Sequence, residues 1–282
     1  MKKISKDTSL DGRKSLSIIK GPGLTGFAIK IIATLVMLLD HLTAATFNMW
    51  IPFLYRNNFS LEEIEFLRVS LRSIGRLSFP LFCFLLVEGF VYTKNIKKYL
   101  INMLIFGVIS EVPFDMAVFN TKVNWGHQNV YFTLFLGLVA LIGIKSTGKN
   151  LILKLSIIVG LAVLASFLQT DYGFYGVLLI VFLYVYRENK IKKYILVSLV
   201  LILSYGGDIL LTMIKYPKMV NDIIKSVPWG TYIAYITFSI LSFVIMELYN
   251  GKKGKSLNKY IFYGFYPVHL ALLGILRFVI GK

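Results

Sequence analysis

Cysteine is almost absent: Cys83 stands alone in 282 residues, which excludes a disulfide framework and any multi-cysteine metal site. Acidic residues are scarce as well, 14 against 31 Lys and Arg. Charge of either sign makes up only 16% of the chain, where a soluble domain carries roughly a quarter. Hydrocarbon takes its place, with 56% of residues apolar and a mean hydropathy of +0.70. These values exclude a water-soluble globule, and they exclude disorder, which needs low hydrophobicity. A net charge of +17 suits either nucleic acid or a membrane. The basic residues lie between greasy segments, so the lipid bilayer is the partner they indicate and nucleic acid is not.

A spanning helix needs about 20 mostly apolar residues to cross roughly 30 Å of hydrocarbon. Nine segments qualify or nearly so: Leu24–Trp50, Ser70–Tyr92, Tyr99–Val118, Asn129–Ile144, Ile152–Leu168, Tyr172–Tyr186, Tyr194–Ile214, Gly230–Tyr249 and Tyr260–Ile280. The fourth to sixth are short. Gly206–Gly207 is expected to interrupt the seventh, and Pro228 and Gly230 open the eighth. The strings YGFYGVLL from Tyr172 and YGFYPVHL from Tyr263 look alike, but their opposite orientations and different flanks make no repeat. The fold class is therefore an all-α polytopic membrane protein. No loop is long enough for a soluble domain, so residues 24–282 form one transmembrane domain behind an N-terminal tail of residues 1–23, too polar for a cleaved signal peptide.

Orientation follows from the basic bias of short loops. With the tail in the cytoplasm, 20 of the 31 Lys and Arg fall on that side: the tail itself and the loops Lys94–Lys98, Lys145–Lys154, Arg187–Lys193 and Lys252–Lys259. Seven fall opposite, and Lys30, Arg72, Arg76 and Arg277 lie within spans. Nine spans then place the C-terminus outside.

Asp40, Arg72, Arg76, Glu88, Glu111 and Asp208 also lie within spans. A central charge costs roughly 2.5–3.5 kcal/mol on insertion scales, so six unpaired groups would cost on the order of 15 kcal/mol. That rivals the stability of a whole domain, and they are expected to converge on one another or on water. Depth supports this, at about 1.5 Å per residue. Asp40 and His41 lie just past the middle of the first span, and Arg72 and Arg76 share one face of the second. Glu111, Asp115, His127, Gln128, Asp171 and Asp208 fall at outer ends, and His269 lies mid-span on one face with Phe262 and Tyr266. Most of this polarity gathers in the outer half, as a cavity opening outward. Each group also has a structural reading. Arg72 and Glu111 are near enough to span ends to snorkel, Asp115 and Asp171 can be caps, Arg76 and Asp40 can be a structural ion pair, and both histidines can be satisfied core residues. Cys83 has no charged helper nearby and reads as inert.

The ordered segments IKIIATLVMLLDHLTAATF from Ile29, LRSIGRLSFPLFCFLLVEGFVYTKNIKKYL from Leu71, ISEVPFDMAVF from Ile109, NVYFTLFLGLVAL from Asn129, DYGFYGVLLI from Asp171 and FYPVHLALL from Phe265 cover most of the chain. The chain so read resembles the TraX family of integral membrane acetyltransferases, known from acetylation of pilin at its N-terminus. The resemblance implies a multi-pass protein of the bacterial plasma membrane that moves an acyl group from cytoplasmic acetyl-CoA, or another acyl-CoA, to a peptide, lipid or glycan acceptor at the outer face, without a metal. It implies His41 of the DH motif as the catalytic histidine, with Asp40 and Arg76 of the GR motif completing the central site. Arg72, Glu111, Asp115, Asp171, Tyr172, Tyr266 and His269 are the candidates for holding acyl-CoA and acceptor.

An imidazole's ordinary pKa of about 6.5 suits general-base work near neutral pH. His41 is the expected base, or else a transient acyl carrier. Asp40 projects about 100° away from it on the helix, so the carboxylate is expected to pair with Arg76 or another cation. Arg76, His269 or a tyrosine hydroxyl are the options for the thioester oxyanion, and the 14 Lys and Arg of the cytoplasmic loops for the donor's phosphates. Two other classes fit the spans: an ion- or proton-coupled transporter, which uses the same intramembrane side chains, and a structural subunit of a secretion or conjugation assembly.

Overall fold

The structure, a computed structural model, describes residues 23–255 and 257–280. The tail expected over residues 1–23 lies outside the described residues but for its last. Among those described there are no strands beyond two isolated bridges, Leu24 with Tyr249 and Gln128 with Thr170. The helices are α1 Gly26–Arg56, α2 Leu61–Gly75, α3 Ser78–Tyr92, α4 Ile96–Phe119, α5 Val130–Ser146, α6 Leu151–Phe167, α7 Gly173–Val185, α8 Lys190–Lys215, α9 Val220–Ser226, α10 Trp229–Glu247 and α11 Lys259–Ile280. Among the described residues six stretches are long and apolar enough to cross a membrane, namely α1, α2 with α3, α4, α8, α10 and α11. The chain is thus an all-α polytopic membrane protein.

The remaining apolar helices α5, α6 and α7 correspond to the three short spans, and burial explains the length of α5 and α7. The 13 residues of α7 rise only about 20 Å, but Val177, Leu179, Ile180, Val181 and Leu183 are buried among α3, α5, α6 and α8. A helix sheathed in protein need not match the bilayer's thickness. By contrast α6 fully buries only Ala162 and Ala165 and leaves most of its other residues exposed. Asn95, Asn129, Asn150 and Asn189 each cap the helix that follows through a side-chain oxygen, satisfying N–H groups that a helix start leaves open.

Two boundaries differ from the sequence expectation. The second span begins at Leu61 rather than Ser70, where Ser60 and Glu63 make a capping box. It is also broken after Gly75. Pro80 has no N–H to give the carbonyl of Arg76 four residues back, and its ring crowds that carbonyl. The helix tightens there instead, with Arg76 bonding to Ser73 and Leu77 to Ile74. The α2–α3 discontinuity therefore falls at Arg76. Conversely, α8 runs through Gly206–Gly207 without a break, because glycine weakens a helix by only about 1 kcal/mol and removes no hydrogen bond.

Prolines inside spans free other carbonyls, and these need partners in lipid. Pro267 in α11 leaves the Tyr263 carbonyl without its helical donor, and the Tyr131 hydroxyl of α5 donates to it at 3.2 Å. Helix α11 packs most extensively against α4, and this bond ties α5 to the same pair. Tyr131→Phe leaves that half-buried carbonyl unsatisfied and is expected to destabilise the fold by about 1–3 kcal/mol. A lowered thermal midpoint of the detergent-solubilised protein is the expected reading; an unchanged midpoint contradicts this role for the bond.

Candidate functional site

The centre of the bundle is an ion cluster. Asp40 on α1 receives both oxygens' bonds from one nitrogen of Arg76, Nη2, at 3.0 Å each. Arg72 on α2 places Nη1 2.8 Å from Asp40 Oδ1 and also donates to the Asp40 backbone carbonyl at 3.1 Å. Two guanidiniums thus share one carboxylate, leaving one positive charge in excess. The approach depends on Gly75: a Cβ there would lie 2.3 Å from Asp40 Cβ, so only glycine lets α2 come this close to α1. The helix break one residue later turns the Arg76 side chain inward. Its Nη1 lies 3.4 Å from the Tyr172 hydroxyl, and its guanidinium lies over the Tyr235 ring, 5.1 Å from the centroid. Tyr172 stacks on Phe79 with centroids 3.6 Å apart. It holds a left-handed backbone conformation, φ 63°, which costs a non-glycine residue roughly 1–2 kcal/mol.

His41 follows Asp40 but points elsewhere, as adjacent helical positions must. Its Nδ1 lies 2.8 Å from Nε2 of His269, a residue 228 positions further along the chain, and the rings are nearly parallel. His269 is buried, and its Nδ1 lies 2.7 Å from the Phe265 carbonyl. A carbonyl only accepts, so His269 Nδ1 carries the proton. For two neutral imidazoles, His269 Nε2 must then accept and His41 Nδ1 must donate. One backbone carbonyl thereby sets both tautomers and leaves His41 Nε2 with a free lone pair. The Tyr266 ring stands edge-on to both imidazoles, at 5.7 Å from each.

His41, Asp40, Arg72, Arg76, Tyr172, Tyr266 and Asp171 line one cavity of about 230 Å³, closed on other sides by Met37, Phe79, Phe82, Phe114 and Leu134. His127 and Asp171, from the loops before α5 and α7, stand at its rim with Nε2 and Oδ1 3.7 Å apart. Backbone bonds from Gln128 to Gln169 and from Asp171 to Gln128 clasp these two loops together.

The other intramembrane charges do not join this cluster. Glu111 accepts from the side chain and backbone of Asn129. Asp115 is buried and accepts from the Asn124 backbone at 2.6 Å. Both carboxylates anchor the loop before α5, and neither lines the cavity. Glu88 is buried near the lysine-rich end, its Oε2 without a hydrogen-bond partner among the described residues, and Asp208 is exposed on α8. Arg277 donates to the last carbonyls of α4, those of Ala117 and Val118. Convergence of all six expected groups is thus replaced by one triad of Asp40, Arg72 and Arg76, with Glu88, Glu111 and Asp208 apart from it. Tyr205, bonded to Ser239 at 3.2 Å, and Tyr235 also surround Arg76. Sequence pattern did not single these out, because tyrosines are common in this chain and their depth alone does not show what they face.

A second space begins beyond Phe82 and Leu134. A cavity of about 410 Å³ runs from them past Leu85, Met103, Tyr99 and Tyr263. It continues into a vestibule of about 500 Å³ at the lysine-rich end. Lys30, Lys98, Lys253, Lys255 and Lys259 gather around these two spaces, and Lys30 lies over the Phe262 ring.

A polytopic helical membrane protein with a buried histidine pair beside a carboxylate–guanidinium cluster, between a basic vestibule and a polar rim, is the class these features define. The family model described as TraX protein matches residues 25–277, and the chain belongs to the TraX family. It is 35% identical to the probable fimbrial assembly protein FimC, serogroup H1, of Dichelobacter nodosus over 260 residues, 88% of this chain and 94% of that protein. No solved structure matches the chain.

Two predictions follow from the geometry. Gly75→Ala forces α2 off α1 and is expected to destabilise the protein by about 1–3 kcal/mol, the usual cost of overpacking; unaltered resistance to thermal unfolding in detergent contradicts the close approach. At the rim, the adjacent carboxylate of Asp171 holds His127 above the ordinary imidazole value of 6.5. The protonated form is therefore favoured by folding, and that stabilisation is fully present below 6.5 and lost as pH rises through the raised value. So exposed a pair contributes at most about 1 kcal/mol. Amide exchange over residues 123–128, corrected for its intrinsic pH dependence, is expected to quicken across that window and to lose the effect in His127→Gln. Equal behaviour of the two proteins contradicts the clasp.

Proposed function

We propose that this protein is an acyltransferase of the bacterial plasma membrane that acts in the assembly of a surface fibre. It takes an acyl group from cytoplasmic acyl-CoA, acetyl-CoA in the first instance, and passes it to an amine or hydroxyl at the outer face. The observation that carries the reading is the His41–His269–Phe265 relay, which presents a proton-accepting nitrogen to a charged cavity in the membrane's interior. Family membership and the similarity to a probable fimbrial assembly protein support the setting. The basic bias of the loops at the vestibule end supports the direction, donor from the cytoplasm and acceptor from outside.

In this reading the lysines of the vestibule, with Lys30 one turn into α1, hold the donor's phosphates. The pantetheine arm follows the apolar cavity beyond them. Along α1 the distance from Lys30 to His41 is about 16 Å. The acceptor's nucleophile enters past His127 and Asp171. It attacks the thioester carbonyl carbon as His41 Nε2 takes its proton; the new C–N or C–O bond forms, the C–S bond breaks, and the proton passes from His41 to the departing thiolate. A carbonyl oxygen turned negative in the intermediate is stabilised by the excess positive charge of Arg72 and Arg76. Asp40 keeps those guanidiniums in place, and His269 keeps the His41 proton on Nδ1. Neither of these two need touch substrate.

General-base catalysis contributes roughly 10²–10⁴-fold. Membranes from cells producing the protein, incubated with [14C]acetyl-CoA, are expected to transfer label to membrane-bound acceptors. His41→Ala is expected to lower that rate by about 10²-fold or more at equal membrane content. His269→Ala is expected to lower it less and to alter its pH profile. Transfer by His41→Ala at the rate of the unaltered protein contradicts the proposal.

A further inference from the structure

The two cavities described above lie end to end along the same five helices, and only Phe82 on α3 and Leu134 on α5 line both. On α3 the lining residues run in order, with Ser78 in the His41 chamber, Phe82 at the join, and Leu85, Leu86, Gly89 and Thr93 on the vestibule side. The helical spacing of three to four residues keeps this row on one face. On α5, Val130 faces the His41 chamber, Tyr131 the inner cavity, and Leu134 both. Leu134 is buried and Phe82 is partly so. Cys83, beside Phe82 in α3, and Leu138, one turn beyond Leu134 in α5, are fully buried, so both helices are set in core at the neck.

We infer that Phe82 and Leu134 form the aperture through which the thioester reaches His41, and that they restrict the transferred group to a short acyl chain. This rests on the acyl-transfer reading. The thioester carbon must stand beside His41 Nε2, in a chamber of about 230 Å³ that also receives the acceptor's nucleophile. The thioester's sulfur and pantetheine arm fill the aperture behind it. An acetyl methyl fits in what remains. A longer chain has two ways to go: back through the aperture, already filled by the arm, or outward into the acceptor's path. A smaller side chain at residue 82 opens room beside the arm for such a chain.

The test compares acetyl-CoA with hexanoyl-CoA as donors, using the full-length protein in membranes. Phe82→Ala is expected to raise the hexanoyl-to-acetyl rate ratio at least tenfold, and the milder Phe82→Leu and Leu134→Ala to raise it less. Leu134→Phe is expected to lower transfer of both. An unchanged ratio in Phe82→Ala, Phe82→Leu and Leu134→Ala, with acetyl transfer still abolished by His41→Ala, overturns the inference and leaves the acyltransferase reading standing. If the unaltered protein transfers neither group, the acyltransferase reading fails instead, and labelling then decides the aperture. In a Cys83→Ala background, Ala44→Cys places a thiol in the His41 chamber. A membrane-impermeant maleimide added to inside-out vesicles is expected to label it slowly, and at least tenfold faster when Phe82→Ala is added. Equal labelling rates overturn the aperture as well.

Discussion

One carboxylate held between two guanidiniums, in the middle of a lipid-bathed bundle, sets the terms for everything around it. Asp40 is almost wholly buried, and an ion there is tolerable only if its partners are close and well aimed. Local sequence meets that demand in two ways. Gly75 removes the one Cβ that would keep α2 away from α1, and Pro80 stops the helix at Arg76 so that its side chain can turn in. The GRLSFP segment of Gly75–Pro80 is thus a folding instruction as well as a site. Removing a partner from a buried pair typically costs 3–5 kcal/mol, which is why the triad constrains the helices as much as they constrain it.

The histidine pair depends on that frame. Because Asp40 and His41 are neighbours, fixing one orients the turn of α1 that carries the other. The arginines draw the carboxylate to one side, and the imidazole is presented on another, to α11. There the Phe265 carbonyl, bonded to His269, defines which nitrogen of each ring holds a proton. The chain of cause runs from a backbone acceptor in the last helix to the reactivity of a side chain in the first. The His41 chamber meets the rim at His127 and Asp171 and shares Phe82 and Leu134 with the cavity that leads to the vestibule.

Much of this was legible in the residues. Hydropathy located the spans, because bilayer thickness imposes a length on any apolar run. The depth of Asp40, His41, Arg76 and His269 indicated a central polar site, since a charge in hydrocarbon needs company. What periodicity cannot do is choose the companion. Glu111 and Asp115 have the spacing of a cavity-facing pair, yet both bind backbone and side-chain N–H groups of the loop that follows. Those donors come from Asn124 and Asn129, in a loop whose path no helical pattern records. The His41–His269 contact joins the first and last helices and depends on how α1, α4 and α11 pack, which one sequence does not specify. Gly206–Gly207 looked like a break because glycine favours turns, but a hydrogen-bonded helix tolerates it.

The claim on which the account turns is that His41 offers a bare Nε2 to the cavity. The chain has only three histidines, so 15N solid-state NMR of histidine-labelled protein in lipid bilayers at neutral pH can assign each ring by single substitutions. The account predicts that His41 and His269 both carry their proton on Nδ1, with His41 Nε2 unprotonated. A proton found on His41 Nε2, with Nδ1 bare, contradicts it.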